Sequence, residues 1–146
     1  MKDLSFYIVD VFAEEKFAGN QLAVFLNTAG LSGDEMQRLA REMHYSETTF
    51  IDSAEERNGG YNVRIFTPEE EVPFAGHPTI GTAFVINKYV RQMPAEKILL
   101  NLEIGQIPVD IEKDSGIYWM TQKEPEFGEI FSTETAAKIL SLDEND

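Results

Sequence analysis

The sequence predicts an α+β fold, a long antiparallel sheet with one helix enclosed by it. Three observations carry that expectation. Strand-like apolar runs outnumber helical ones and give the order β-β-α-β-β-α-β-β-β-α along the chain. The last three runs, at 97–103, 106–113 and 116–121, are joined at Ile104-Gly105 and Asp114-Ser115, junctions short enough for antiparallel hairpins. The second helical run leaves almost no polar face, which marks a helix surrounded by other elements.

Residues 4–12 are apolar except for Ser5 and Asp10. Their β-branched and aromatic content predicts a strand buried on both faces. AEEKFAGN (13–20) reads as a turn, with Gly19-Asn20 the place for unusual backbone angles. A second strand over 21–26 is ended by Asn27-Thr28-Ala29-Gly30. The clearest helix spans 32–44. Ser32 and Glu35 form an S-x-x-E capping box, and Asp34 suits the positive helix N-terminus. Met36, Leu39, Ala40 and Met43 fall at i, i+3, i+4 and i+7, one apolar stripe facing the core.

A short strand is expected over 48–52, an exposed loop at SAEERNGG (53–60), and another strand over 61–67. The stretch 68–76 is expected to be irregular, with two prolines flanking the acids Glu69, Glu70 and Glu71. A helix should start near His77, because Pro78 suits a first helical turn, and run through Val90. After the three hairpin strands, a last helix runs from 132 to about 142 and ends in the acidic LDEND. No second domain, repeat or low-complexity tract interrupts residues 1–146.

Composition narrows the function. The chain has 146 residues, and a domain of this size buries about 68–70% of its unfolded surface. Hydrophobic residues make up 42%, with 10 Phe, which argues for a folded globule. Against 26 Asp+Glu stand 12 Lys+Arg, a net charge of −14. That balance disfavours nucleic acid, which needs a basic footprint, and anionic membranes. With no cysteine, disulfides, thiolate zinc sites, iron–sulfur clusters and thiol nucleophiles are excluded. Two histidines, His44 and His77, cannot make a three-histidine metal site. No apolar run approaches the ~20 residues that span a bilayer. MKDLSFYIVD carries acids and no small-residue cleavage site, so no signal peptide is expected. A cytoplasmic protein without metal, nucleotide or flavin cofactor is the expectation.

Two segments carry residues that a core does not explain. In His44-Tyr45-Ser46-Glu47-Thr48-Thr49-Phe50, Glu47 lies where the capped helix gives way to a strand. Such a junction can aim a carboxylate into a cleft as a general acid or base, although a glutamate at an arbitrary position is usually a solvated surface residue. In Pro73 to Ala83, Gly76 permits close backbone approach, and the free N–H groups of the first helical turn favour an anion. A carboxylate substrate is the natural ligand for that end. His77 could polarise it, protonate it or relay a proton, or could simply be a satisfied structural histidine. Gly81 has a plain packing role open to it, close helix–sheet contact. Asn20 reads first as a turn asparagine, the acidic triplet as a solvated run, and Trp119 and Phe127 as core or interface aromatics.

GNQLAVF (19–25), SETTFI (46–51) and RIFTPEEEVPFAGHPTIGTA (64–83) together resemble the phenazine-biosynthesis-like (PhzF-like) family, and the resemblance continues into TQKEPEFG (121–128). It implies one half of a diaminopimelate-epimerase-like fold, a curved and mostly antiparallel sheet wrapped around a central helix. It further implies cofactor-independent isomerisation, in which the glutamate of the S-E-T-T-F motif moves a proton on a small cyclic amino acid such as dihydrohydroxyanthranilate. Carried over, Glu47 is the proton shuttle, while Ser46, Gly76 and His77 bind or orient the substrate. The absence of cysteine sets the chain apart from epimerases of the same fold that use two thiols. Gln21 stands where many relatives have proline.

Family members have two similar halves with the active site between them. Residues 1–146 match the first half only, as a single N-terminal domain. The later G-D-P-x-T-G-S-A motif and the aspartate that faces the glutamate are not among them. Three explanations stand: the sequence is truncated before the second half, a separate chain carries that half, or a homodimer about a twofold axis completes the cleft. Two other readings stand beside the isomerase: a non-catalytic half-domain that binds a small carboxylate or assembles with a partner half, and an acidic interaction module.

Overall fold

The computed structural model describes residues 3–15 and 17–143; Lys16 of the expected first turn and the last three residues of the acidic tail lie outside them. The chain runs through β1 (Phe6–Val11), β2 (Asn20–Phe25), α1 (Gly33–Met43), β3 (Glu47–Ile51), β4 (Tyr61–Phe66), β5 (Glu71–Val72) and α2 (Gly76–Val85). A π-helical turn, Ile86–Val90, extends α2, and β6 (Lys97–Leu102), β7 (Gly105–Ile111), β8 (Tyr118–Met120) and α3 (Thr133–Leu140) follow. Among the described residues no helix is long and apolar enough to cross a membrane.

All strands join one sheet in the order β1-β2-β3-β4-β6-β7-β8, with β5 paired to β4 off that path. The pairings are antiparallel except β2 with β3 and β4 with β6. Both parallel junctions enclose a helix, because parallel neighbours need a long crossover. Thus α1 returns the chain from β2 to β3, and α2 returns it from β4 to β6.

Strand alternation sends the two helices to opposite faces. Leu22 and Val24 of β2 belong to the core around α2, with Ile51, Ile65, Val85, Leu100 and Val109. Ala23 and Phe25 belong to a second cluster under α1, with Met36, Ala40, Phe50 and Phe66. Each fully buried aliphatic side chain contributes about 1.5–3 kcal/mol, so these clusters supply most of the driving force. The predicted capping box is formed: Ser32 Oγ accepts from Glu35 N–H, and Glu35 Oε2 accepts from Ser32 N–H at 2.8 Å.

Helix α2 packs against β1, β2, β3, β6, β7 and β8, strands from both ends of the sheet order. One helix can reach both ends only if the sheet curls around it, so the architecture is a half-barrel on a central helix. Gly81 makes the close approach to that wall. A Cβ there would stand 2.7 Å from both Leu22 Cδ2 and Val11 Cγ2.

Several sequence expectations are corrected. The β1 strand is not buried on both faces: Tyr7, Val9 and Val11 pack toward α2, whereas Phe6 and Ile8 are 45% and 52% exposed. As the edge strand it has no layer over its outer side among the described residues, although Phe6 stacks on Phe25 at 5.0 Å. The stretch 68–76 is not wholly irregular. Glu71 is held by Arg64 through two hydrogen bonds of 2.6 Å, which pins β5 against β4. The π-helical turn comes from the wider Arg91 N–H to Ile86 carbonyl bond, and Asn87 braces it by bonding Ala95 N–H and Tyr118 OH. Trp119 and Phe127 are 61% and 91% exposed and therefore not core aromatics.

Candidate active site

Four side chains converge at one end of the curled sheet. Glu47 opens β3, Asn20 opens β2, Ser46 precedes β3, and His77 lies in the first turn of α2. The parallel register pairs Leu22 with Glu47, so Asn20, Leu22 and Glu47 share the face turned to α2.

A buried hydrogen bond fixes the helix against β3. Thr49 Oγ1 and Thr82 Oγ1 are 2.8 Å apart, and both residues are fully buried. Two residues along a strand cover about 6.7 Å, and five along a helix about 7.5 Å. The step from Thr49 back to Glu47 therefore matches the step from Thr82 back to His77. That match brings Glu47 Oε2 to 3.5 Å from His77 Nε2. Both atoms are buried, and neither has a hydrogen-bond partner among the described residues. The side chains are 20% and 8% exposed, so the pair sits in the wall of the fold, not on its open surface.

On its other side the His77 ring meets Asn20, whose Nδ2 is 3.3 Å from Nδ1. Ser46 Oγ donates to Asn20 Oδ1 at 3.2 Å. Burial pushes the His77 imidazole below its usual range; the Glu47 charge and the Gln21 backbone carbonyl pull the other way without overcoming it. His77 is therefore neutral at pH 7, with one ring nitrogen a donor and the other an acceptor.

The adjoining helix end is uncapped. Ala75 is the N-cap and offers no side-chain acceptor. Pro78 has no N–H, so the N–H groups of Gly76 and His77 are the ones directed out of the helix. A Cβ on Gly76 would meet only Met120 Cε and Gln122 Nε2, at 3.8 and 3.9 Å. Glycine there is not demanded by packing within the chain, which leaves the backbone open to a ligand. Two concavities lie elsewhere. One of about 430 Å³ is lined by residues including Asn62, Arg64 and Asn101, and one of about 600 Å³ by Leu31, Arg38 and Leu39.

The structure thus brings Ser46, Glu47, Gly76 and His77, singled out from two separate segments, to one place. Asn20 joins them, and Met120 and Gln122 flank Gly76. The sequence signal for Asn20 was its place in the GNQ segment; its spatial link to His77 lies 57 positions away in the chain. The acidic triplet does not take part, since Glu71 is bound to Arg64. Among the described residues no group of three or more His, Cys, Asp or Glu is arranged to hold a metal ion.

A sheet curled around one helix, with a carboxylate–imidazole pair at the uncapped end of that helix, is an architecture shared with solved structures of the epimerase fold. The model of the phenazine biosynthesis-like protein family matches residues 9–145, and the chain belongs to that family. It is 40% identical over 111 residues to the trans-2,3-dihydro-3-hydroxyanthranilate isomerase of Pseudomonas aeruginosa, covering 76% of this chain and 38% of that protein. To an uncharacterized isomerase of Pasteurella multocida it is 36% identical over 149 residues, 97% of this chain and 48% of the relative. A solved structure described as a predicted epimerase from Pseudomonas aeruginosa superposes with a TM-score of 0.82 at 32% identity, covering 97% of this chain and 51% of that one. A Bacillus anthracis protein of the PhzF family gives 0.78 at 28% identity, over 100% of this chain and 50% of its own. The chain spans about half the length of the relatives it matches, or less.

Proposed function

We propose that this chain carries one wall of an isomerase site that moves a proton on a small cyclic amino carboxylate, with Glu47 as the acid/base. The observation that carries the reading is the buried Glu47 Oε2–His77 Nε2 pair beside the uncapped end of α2. Glu47 takes a proton from one carbon of the ligand and returns it at another, so the carboxylate is regenerated and nothing is consumed. The ligand carboxylate rests on the N–H groups of Gly76 and His77, where the helix end favours an anion. Ser46 and His77 orient the ring. Trans-2,3-dihydro-3-hydroxyanthranilate, the substrate named for a 40% identical relative, is the first compound to test.

A proton-transfer site must hold the ligand from both sides, so the opposite wall would come from a second half of the fold, whether in a second copy about a twofold axis or in another stretch of polypeptide. Cytoplasmic location and cofactor-independence go with this reading. Turnover of that compound should fall by about 10²–10⁴-fold in Glu47→Gln, the usual contribution of a positioned acid/base, with ligand-induced thermal stabilisation retained. Equal turnover in the variant would overturn the role of Glu47. Stabilisation by the ligand without turnover in the parent chain would favour the binding half-domain.

A further inference from the structure

We propose that Asn20 is a positioning residue that locks the His77 imidazole in the tautomer with its proton on Nε2, facing Glu47. The functional meaning of that lock rests on the proton-transfer reading, but its evidence does not.

Backbone geometry places Asn20. Gly19 has φ +88°, and a Cβ there would stand 2.3 Å from the Val11 carbonyl oxygen, so the turn closes onto β1 at glycine alone. Asn20 is then held opposite Val11, in the last pair of the β1–β2 ladder. From that position its amide reaches two groups at once. The Oδ1 end accepts from Ser46 Oγ at 3.2 Å, which directs the NH₂ end at His77 Nδ1, 3.3 Å away.

A neutral imidazole has one donor and one acceptor. If Nδ1 accepts from Asn20, the ring proton sits on Nε2, 3.5 Å from Glu47 Oε2. The other tautomer would set an Nε2 lone pair against a buried carboxylate oxygen and turn the Asn20 NH₂ against an N–H. The Asn20 and Glu47 contacts therefore select the same tautomer, and the Gln21 backbone carbonyl is a third group that the ring faces. The consequence is directional: His77 presents a donor to Glu47 in the resting protein, and its Nε2, already protonated, has no lone pair to take a proton from the glutamate. Asn20 thereby keeps proton exchange on the glutamate.

The test uses ¹⁵N-labelled protein and long-range ¹H–¹⁵N correlation of the imidazoles at pH 7.5 or above (about one unit above the unperturbed His value), without ligand. Assignment needs only two rings, because the sequence holds only His44 and His77, and exposed His44 serves as an internal reference. The expected pattern is a protonated Nε2 and an unprotonated Nδ1 for His77. In Asn20→Asp carboxylates would flank the ring on both sides, so both ring nitrogens should be protonated. In Asn20→Ala the two forms should mix. Unchanged amide shifts for Leu22 to Val24 report that β2 is still formed in the variants. A parent protein with Nδ1 protonated, or folded Asn20 variants with the parent pattern, would overturn the proposal. The readout needs no turnover, so it can fail while Glu47→Gln still abolishes activity, or stand when Glu47→Gln does not.

Discussion

Replacing Gly81 by alanine probes the contact that sets α2 against the sheet. The added Cβ would lie 2.7 Å from Leu22 Cδ2, 2.7 Å from Val11 Cγ2 and 3.4 Å from Val9 Cγ2. Carbon pairs are most favourable at about 3.5–4.0 Å, so two methyls would each have to retreat by about 1 Å. Leu22 and Val11 are 0% and 5% exposed and have nowhere to go. Overpacking of this kind costs about 1–3 kcal/mol, while alanine regains about 0.8–1 kcal/mol of helix propensity. The net expectation is a loss of about 0–2 kcal/mol, or up to roughly 8 °C in Tm for a domain of this size. Urea unfolding at fixed pH measures it directly. Because α2 must lift from β2, the Glu47–His77 separation should widen as well. A Gly81→Ala protein more stable than the parent would refute the close-contact reasoning and the half-barrel geometry built on it.

Three further outcomes follow from the same packing. Thr49→Val should cost about 1–3 kcal/mol by leaving the buried Thr82 hydroxyl without its 2.8 Å partner, whereas Thr49→Val with Thr82→Val should recover much of that loss in a double-mutant cycle. Ser32→Ala should destabilise by about 1 kcal/mol in urea, because it removes the acceptor for Glu35 N–H. His77 has a folded-state pKa below its unfolded value of 6.5, so the native state resists a proton that the unfolded state takes up. Its contribution to stability is complete above 6.5 and is lost as pH falls from there through the depressed folded value, with a slope of at most about 1.4 kcal/mol per pH unit. His77→Gln should flatten the urea-measured stability profile in that window; a profile as steep as the parent's would contradict the burial of a neutral imidazole.

What the sequence made legible was local or periodic. The capping box of Ser32 and Glu35 and the i, i+3, i+4, i+7 stripe located α1 to within a residue of its ends. The near absence of polar residues from Thr79 to Val85 marked α2 as enclosed, and the spacing at Gly105 gave the β6–β7 hairpin. Edge effects were not legible. Nothing in Phe6 and Ile8 distinguishes a two-sided strand from an edge strand whose outer face lacks a covering layer. Nor does the local sequence show that Glu71 will find Arg64 and turn an acidic loop into a strand. At the site, Glu47 and His77 could each be named from its own segment, but their 3.5 Å separation depends on the Thr49–Thr82 register between β3 and α2. Asn20 was hidden for the same reason. A residue in a turn segment of the sequence becomes a bridge only when β2 and β3 run parallel with Leu22 beside Glu47.

The most direct test of the Glu47 site follows solvent hydrogen. Trans-2,3-dihydro-3-hydroxyanthranilate is incubated with the parent chain and with Glu47→Gln in D₂O, at protein concentrations high enough for two copies to pair, and the product is examined by mass and by NMR. If Glu47 is the proton shuttle, the parent forms isomerised product, with deuterium at a single carbon wherever the glutamate exchanges with solvent before returning the proton, and Glu47→Gln, still stabilised by the ligand, forms none. Deuterium incorporation by Glu47→Gln at the parent's rate would mean that the proton moves through another group.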